Sequence, residues 1–229
     1  MTTKYIFGDI HEKIKDISDN TINLIYTSPP YGITNAVWDK PLKWDIIFPE
    51  MWRVLKPNGI IVLHASMPFT YELLKYQRPK YHYTWIKNNS TTPFLAKIQP
   101  LRIHEEVFVY YKKKGTYNPQ MVGDTFHSTE MNNFDNLGQG YYGKVKNKIR
   151  HNLKTGHKGR YPTTHLKYKI RSGGGGITRP DDMMDFFIKT YSNENDTVLD
   201  LTTCNTYLGK RCKLLKRNFI GIDIVPFVI

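Results

Sequence analysis

Cysteine is scarce: Cys204 and Cys212 are the two cysteines in 229 residues. They stand eight apart and no Cys-x-x-Cys pair occurs, which argues against a disulfide framework and gives no zinc pattern. A reducing, intracellular setting is the default for such a chain. His104-Glu105-Glu106 has no second histidine at helical spacing, so it is not a zinc motif either, and no metal is expected. No apolar run reaches the ~20 residues of a membrane span. The opening Met1-Thr2-Thr3-Lys4-Tyr5 leads into no apolar run of leader length, so a soluble protein without a membrane partner is expected. Gly173 to Gly176 lacks the flanking Lys-Ser/Thr of a phosphate loop and reads as a hinge. Acidic residues are few as well. Twenty Asp and Glu stand against 33 Lys and Arg, for a net charge of +13. That balance suits a polyanionic partner, because clustered cations release counterions from phosphates. Charge alone does not distinguish such a protein from a basic, merely soluble one.

Hydrophobic content of 40% and this length suit one sizeable domain with a real core. Ile22 to Tyr26 reads as a buried strand that ends at Thr27-Ser28-Pro29-Pro30. Asp45 to Leu55 reads as a helix with Ile46, Ile47, Met51, Trp52 and Leu55 largely on one face. Lys56-Pro57-Asn58-Gly59 is expected to stop it in a turn before a strand at Ile60 to His64. Phe69 to Tyr76 reads as a helix, and Tyr83 to Ile86 and Glu106 to Tyr111 as strands, the latter central because it alternates poorly. Pro180 to Tyr191 reads as a helix with Asp181 and Asp182 at its positive end. A strand at Thr197 to Leu201, a helix at Tyr207 to Lys216 and a strand at Asn218 to Ile224 follow. Strands separated by helices predict an α/β fold with a doubly wound, mostly parallel sheet. Lys112 to Gly176 is poor in aliphatics and rich in Lys, Arg, His, Gly, Asn and Tyr, and is read as an insertion.

The turn after the first strand carries the clearest chemistry. Ser28 precedes proline and is pushed away from helical backbone. Two prolines make a stiff segment without amide donors. Such a segment at the carboxyl end of a strand sits where open α/β sheets bind ligands. Ser28 Oγ and the Pro29 carbonyl suit the two hydrogens of an amino group on an aromatic ring, and Tyr31 suits its face. An exocyclic amine is a poor nucleophile because its lone pair is conjugated. Acceptors on its hydrogens favour a pyramidal nitrogen and stabilise the charge that grows on alkylation. An ordinary proline turn would fit the bare tetrapeptide too. The four tryptophans, Trp38, Trp44, Trp52 and Trp85, read as core or cleft lining.

These residues resemble the (Asp/Asn/Ser)-Pro-Pro-(Tyr/Phe) motif of the DNA amino-methyltransferases. Other segments agree: Gly8-Asp9, Trp38-Asp39, Gln99-Pro100-Leu101-Arg102, His104-Glu105, Tyr117-Asn118-Pro119-Gln120, Val198-Leu199-Asp200 and Arg217 to Asp223. Arg179-Pro180 stands where the family often has Lys-Pro. The catalytic motif precedes the cofactor motifs, as in the permuted group called beta. The resemblance implies a class I, Rossmann-like methyltransferase domain over residues 1–229, with a target-recognition region at 112–176. It implies methyl transfer from S-adenosylmethionine to cytosine N4 or adenine N6 of a base flipped out of double-stranded DNA. The serine leans toward cytosine and the branch toward adenine. The implied catalytic residues are Ser28, Pro29, Pro30 and Tyr31. The implied cofactor-binding residues are Asp9, Thr27, Arg179, Pro180, Asp200, Thr202, Thr203, Asn205 and Asp223. Within the insertion, Lys144, Lys146, Lys148, Arg150, Lys158 and Arg160, with tyrosines interleaved, form a dense basic run suited to DNA. A homodimer and a restriction endonuclease are the partners left open, and the setting is the cytoplasm or nucleoid, or a phage-infected cell.

One segment departs from the family. Its cofactor loop reads like Asp-Pro-Phe-x-Gly-Ser-Gly-Thr, whereas this chain has Asp200-Leu201-Thr202-Thr203-Cys204-Asn205-Thr206-Tyr207. Glycine there lets the backbone turn tightly, and a β-branched Thr206 at a positive φ would be strained. Either Asn205 takes the left-handed conformation and a reshaped loop still binds, or the chain is a catalytically weak DNA-binding relative or subunit.

Overall fold

The computed structural model describes residues 1–128, 156–171 and 179–225. The chain divides into two compact units, Met1–Asn118 with Thr163–Ile229, and Pro119–Pro162.

In the larger unit, eight strands form one sheet. They are β1 (Thr3–Phe7), β2 (Ile22–Thr27), β3 (Leu55–Ala65), β4 (Tyr81–Ile86), β5 (His104–Tyr110), β8 (His165–Lys167), β9 (Thr197–Asp200) and β10 (Asn218–Asp223). Their order is β1-β10-β9-β2-β3-β5-β4-β8. Every neighbouring pair is parallel except the two made by β5, which runs antiparallel to β3 and β4. The α/β, mostly parallel architecture expected from the sequence is therefore present, and β5 is interior.

Period-two alternation divides the strand side chains between two cores. Ile25, Ile61, Leu63, Leu199 and Ile222 face α1 (Ile10–Lys13), α2 (Trp44–Val54) and α3 (Phe69–Tyr76). Leu24, Tyr26, Val62, Val198 and Phe219 face α4 (Asp181–Tyr191) and α5 (Tyr207–Leu214). Gly209 of α5 allows a close approach: a Cβ there would lie 2.3 Å from Tyr5 Oη and 2.9 Å from Phe219 Cδ1.

Two local expectations are corrected. The buried face of α2 is Trp44, Ile47, Phe48, Met51 and Val54, at helical spacing, while Ile46 is exposed and Trp52 only partly buried. Lys56-Pro57-Asn58-Gly59 lies within β3 and is not a turn. Ile22 pairs with Leu55 and Leu24 with Ile60, so the extra β3 residues bulge out of register, which tolerates Pro57.

The segment expected as an insertion, 112–176, is divided. Residues 165–167 pair with β4 as β8, and 119–162 form the second unit. In that unit β6 (Val122–Ser128) and β7 (Gly156–Arg160) pair antiparallel.

The sheet also fixes where a site can form. From β9 the chain passes through α5 to β10 on one side, and from β2 through α2 to β3 on the other. The carboxyl ends of β9 and β2, at Asp200 and Thr27, flank the point where the winding reverses, which is where open α/β sheets bind ligands.

Candidate active site

β2 delivers Thr27, buried, and the chain leaves the sheet through Ser28-Pro29-Pro30-Tyr31. The loop that follows is held by one carboxylate. Buried Asp39 accepts hydrogen bonds from Gly32 N at 2.8 Å, Ile33 N at 3.0 Å, Thr34 N at 2.8 Å and Thr34 Oγ1 at 2.7 Å. Burial disfavours its charge, but the Thr34 hydroxyl and the three backbone donors outweigh that and hold its carboxyl below the usual range. Gly32 has φ +66°, and a Cβ there would meet Pro41 Cγ at 2.4 Å, so glycine is required.

Ser28 and Tyr31 then meet a buried polar network. Tyr31 Oη donates to Glu105 Oε2 at 3.2 Å and lies 3.4 Å from Ser28 Oγ. Arg179 Nη2 donates to Tyr31 Oη at 2.9 Å and to Ser28 Oγ, and pairs with Glu105 Oε2 at 3.3 Å. Lys87 Nζ pairs with the other Glu105 oxygen. Burial disfavours charge on Glu105, but Arg179 and Lys87 prevail and keep its carboxyl below the ordinary value. Trp85 walls the network, with the Arg179 and Lys87 charges 5.5 Å and 5.0 Å from its ring. The ring of Tyr31 stacks on Phe69, centroids 5.1 Å apart and 18° from parallel. Lys87 carried no sequence signal except its place after the apolar Trp85-Ile86 at the end of β4.

Arg179 is thus placed against the Ser28 to Tyr31 turn, with its Nε buried and without a partner. Pro180 caps α4. The other expected cofactor residues line the adjacent strand ends. Thr202 Oγ1 lies 3.5 Å from Thr27 Oγ1 and donates to the Ser28 carbonyl at 3.4 Å, joining the two loops weakly. Burial pushes the Asp200 carboxyl up to about 7, against hydrogen bonds from Thr27 and Thr202 and with the charge of Asp223 adding to the rise. Neither Asp200 nor Asp223 has an ion-pair partner among the described residues. Asp9, at the end of β1, caps α1 by accepting from His11 N at 2.8 Å, and its carboxylate also meets His11 Nδ1 at 2.6 Å.

The loop that lacks the family glycines closes by other means. Cys204, not Asn205, takes the left-handed conformation, with φ 55°. Thr206 has φ −86°, so the strain expected there does not arise. Cys204 N donates to Asp223 Oδ2 at 2.7 Å, and Thr203 N to the Ile222 carbonyl at 2.9 Å, which seats the loop on β10. Asn205 Oδ1 accepts from Tyr207 N at 3.0 Å at the start of α5. A non-glycine residue held left-handed costs roughly 1–2 kcal/mol. Relief of about 1–2 kcal/mol of strain exceeds the roughly 0.5–1 kcal/mol of entropy that glycine loses on folding, so Cys204→Gly is expected to stabilise the protein by up to about 1 kcal/mol. Chemical denaturation measures this, and a destabilised variant would contradict it.

Of the expected DNA-binding residues, Lys158 and Arg160 lie exposed on β7. Lys144, Lys146, Lys148 and Arg150 lie outside the described residues, as does Gly173 to Gly176. Among the described residues no helix is long and apolar enough to cross a membrane, and no cluster of His, Cys, Asp and Glu is arranged to hold a metal.

The Haemophilus parainfluenzae type II methyltransferase M.HpaI is 26% identical over 239 residues, covering 98% of this chain and 71% of that one. Among solved structures, M1.HpyAVI in complex with SAM superposes with a TM-score of 0.61 at 22% identity, covering 98% of this chain and 95% of that one. The cytosine-N4-specific PvuII DNA methyltransferase superposes with a TM-score of 0.67 at 14% identity, covering 99% and 83%. These two establish likeness of fold. A family profile described as DNA methylase, of the N6 and N4 type, matches residues 22–229. With that match spanning both the Ser-Pro-Pro-Tyr turn and the Asp200 to Asp223 edge, the chain belongs to the DNA methylase family.

Proposed function

We propose that the chain carries out its family's reaction, methyl transfer to the exocyclic amino group of cytosine (N4) or adenine (N6) in DNA, with the Ser28 to Tyr31 turn holding the amine. The observation that carries this is the hydrogen bond from Arg179 Nη2 to Ser28 Oγ. A planar, sp² nitrogen donor already rests on the Ser28 hydroxyl, as the amino group of a base would. Entry of the base displaces that donor, and Arg179 keeps its bonds to Tyr31 and Glu105. Ser28 Oγ and the Pro29 carbonyl then accept the amine hydrogens. The methyl group would leave its sulfonium sulfur as the bond to nitrogen forms, and these acceptors stabilise the positive charge on that nitrogen until it passes one proton to water. Tyr31, with Phe69 stacked on one face of its ring, offers the other to the flipped base. The Asp39 clamp fixes the loop that carries it.

S-adenosylmethionine, when bound, supplies a methyl group on a cationic sulfonium. The residues fit such a group. Asp200 and Asp223 are two neighbouring carboxylates without a cationic partner among the described residues, and a ligand bearing positive charge relieves both their repulsion and the burial of Asp200. Asp200, Asp223, Thr202, Thr203 and the loop to Asn205 would hold it. Asp9, already engaged by His11, belongs to the rim.

The folded protein keeps the Asp200 proton up to about pH 7, whereas the unfolded chain loses it near the ordinary aspartate value of 3.8. The stabilisation from that proton is complete below about pH 4 and is lost as pH rises through 7. A cationic ligand favours the ionised carboxylate, so binding between those values is expected to release protons. Calorimetric titration with S-adenosylmethionine near pH 6, in buffers of different ionisation enthalpy, reads both affinity and proton release. Binding with net proton uptake would contradict the Asp200 role, and no binding at millimolar cofactor would overturn the enzyme reading itself.

Double-stranded DNA is the substrate that the family implies. Unit 119–162, with exposed Lys158 and Arg160, is the proposed recognition element. A restriction endonuclease sharing the same DNA site is the partner that the type II name of the Haemophilus relative suggests, and a homodimer is compatible with the same chemistry.

A further inference from the structure

A hollow at the end of the sheet opposite Ser28 has no part in the chemistry above. It lies where α2 and α3 end beside β5, and Trp52, Arg78, Lys80, Tyr110, Tyr111 and Lys112 line it. Its volume is about 280 Å³, close to the lower bound of small-molecule sites, about 300 Å³. A second hollow of about 200 Å³ shares Trp52 and Lys112 with it and adds Lys113. Glu105 and Tyr110 lie on one strand, and the rise between them places the hollow about 17 Å from the network at Tyr31.

The charge of the hollow is uncompensated. Arg78, Lys80 and Lys112 have no carboxylate partner among the described residues, and no Asp or Glu lines either hollow. The nearby acids are already engaged. Glu50 of α2 pairs with Arg53 at 2.7 Å, and Glu72 of α3 with Lys75 at 2.7 Å. Arg53 and Lys75 also stand in the last turns of those helices, so the helix dipoles have their cations without the hollow's. Two of the ammonium groups are held in place by rings. Lys112 Nζ lies 5.1 Å from the centre of Trp52 and Lys80 Nζ 5.7 Å from that of Tyr111. The backbone beneath them is fixed as well. Lys80 N donates to the Val109 carbonyl at 2.8 Å. Past Lys112, Gly115 packs so closely on the Asn58 carbonyl that a Cβ there would collide with it.

Tyr110 supplies an independent sign of a ligand. The residue is 1% exposed, and its buried hydroxyl has no hydrogen-bond partner. Burial pushes its ionisation up, so it keeps a proton to donate. A buried hydroxyl without an acceptor is costly, and an acceptor in the hollow would relieve it.

We propose that this hollow binds the diphosphate group of a small organic ligand, with Arg78, Lys80 and Lys112 on its oxygens and the Tyr110 hydroxyl as a further donor. Arginine meets phosphoryl oxygens with a planar fork and lysine with a point charge. A phosphate monoester carries at most about two negative charges near neutral pH, so three cations, with Lys113 beside them, suit a diphosphate. The second hollow takes the part of the ligand that carries it. A duplex that presents a base to Ser28 approaches the other end of the sheet, so the phosphates are those of a small molecule and not of the DNA substrate. The inference is independent of the methylation reading.

The test is calorimetric titration with inorganic pyrophosphate at physiological salt. The wild-type protein is expected to bind one equivalent with a Kd below about 1 mM. Lys80→Ala/Lys112→Ala is expected to weaken binding by about tenfold or more, and Tyr110→Phe by about fivefold. The lysines are exposed and Phe keeps the packing of the Tyr110 ring on Phe48, so both variants are expected to fold. Lys4→Ala/Lys213→Ala removes the same charge from exposed positions elsewhere and is expected to bind as the wild type does. No binding at about 10 mM pyrophosphate overturns the site. So does equal weakening by the Lys4/Lys213 pair, or unchanged affinity in Tyr110→Phe, since either reduces the effect to general surface charge. Weaker binding of duplex DNA by the Lys80/Lys112 variant makes the hollow part of the DNA interface and also overturns it. Methylation by that variant is expected to equal the wild type's, so failure of the diphosphate site leaves the methylase reading intact.

Discussion

Replacing Glu105 with alanine is expected to destabilise the protein by about 3–5 kcal/mol, because the change leaves two buried cations without their shared carboxylate. The side chains of Lys87, Glu105 and Arg179 are 6%, 8% and 12% exposed. In such surroundings an unpaired charge is far costlier than the pair was favourable. Lys87 and Arg179 occupy different oxygens of one carboxylate, so neither has a substitute partner of opposite charge in the network. Tyr31 loses the acceptor for its hydroxyl in the same step. The sign with pH follows from the depressed Glu105 carboxyl: its stabilisation is present above the ordinary Glu range and is lost as pH falls through the lower folded value. Urea denaturation at neutral pH measures the effect. A loss below about 1 kcal/mol would mean that water solvates the cations and that the network is not buried.

The second large effect falls on turnover. Ser28→Ala is expected to lower kcat for methylation by roughly 10²–10³, the range for removing one preorganised transition-state hydrogen bond. Affinity for S-adenosylmethionine should stay within about twofold, since Ser28 Oγ contacts Arg179 and Tyr31 and not the Asp200 to Asp223 edge. Arg179 retains Tyr31 and Glu105 in the variant, so the fold should persist. Incorporation of labelled methyl groups into DNA, beside a cofactor titration, separates the two quantities. Equal loss of turnover and cofactor affinity would show that Ser28 serves the cofactor and not the amine.

The elements legible in the sequence were those with dense apolar runs and clear stops. β2, α3, α4 and β10 fall within a residue or two of their expected bounds. β1 gave no such signal. Thr3–Phe7 is a partly exposed edge strand, and its pairing with β10 joins residues some 216 apart. β8 is three residues long and owes its existence to β4. Lys56-Pro57-Asn58-Gly59 has turn chemistry, yet continuity of β3 on both sides turns it into a bulge.

The site divides the same way. Ser-Pro-Pro-Tyr could be read from local stereochemistry and the demands of an amino nucleophile. The Lys87–Glu105–Arg179 cluster could not, since only the β2-β3-β5-β4 order brings its members together. Asn205 was the reasonable candidate for left-handed backbone by residue type. Cys204 takes it because its amide must reach Asp223 across the loop, a constraint invisible until β9 and β10 are placed side by side.

The Ser28 to Tyr31 turn is proposed to hold an amino group of a DNA base for methylation. Mass spectrometry of nucleosides from DNA incubated with the protein and S-adenosylmethionine tests it most directly. The expected result is N4-methylcytosine or N6-methyladenine, formed by the wild-type protein and nearly abolished by Ser28→Ala. Unmodified nucleosides from a protein that binds S-adenosylmethionine, or a methyl group on a ring carbon, would contradict it.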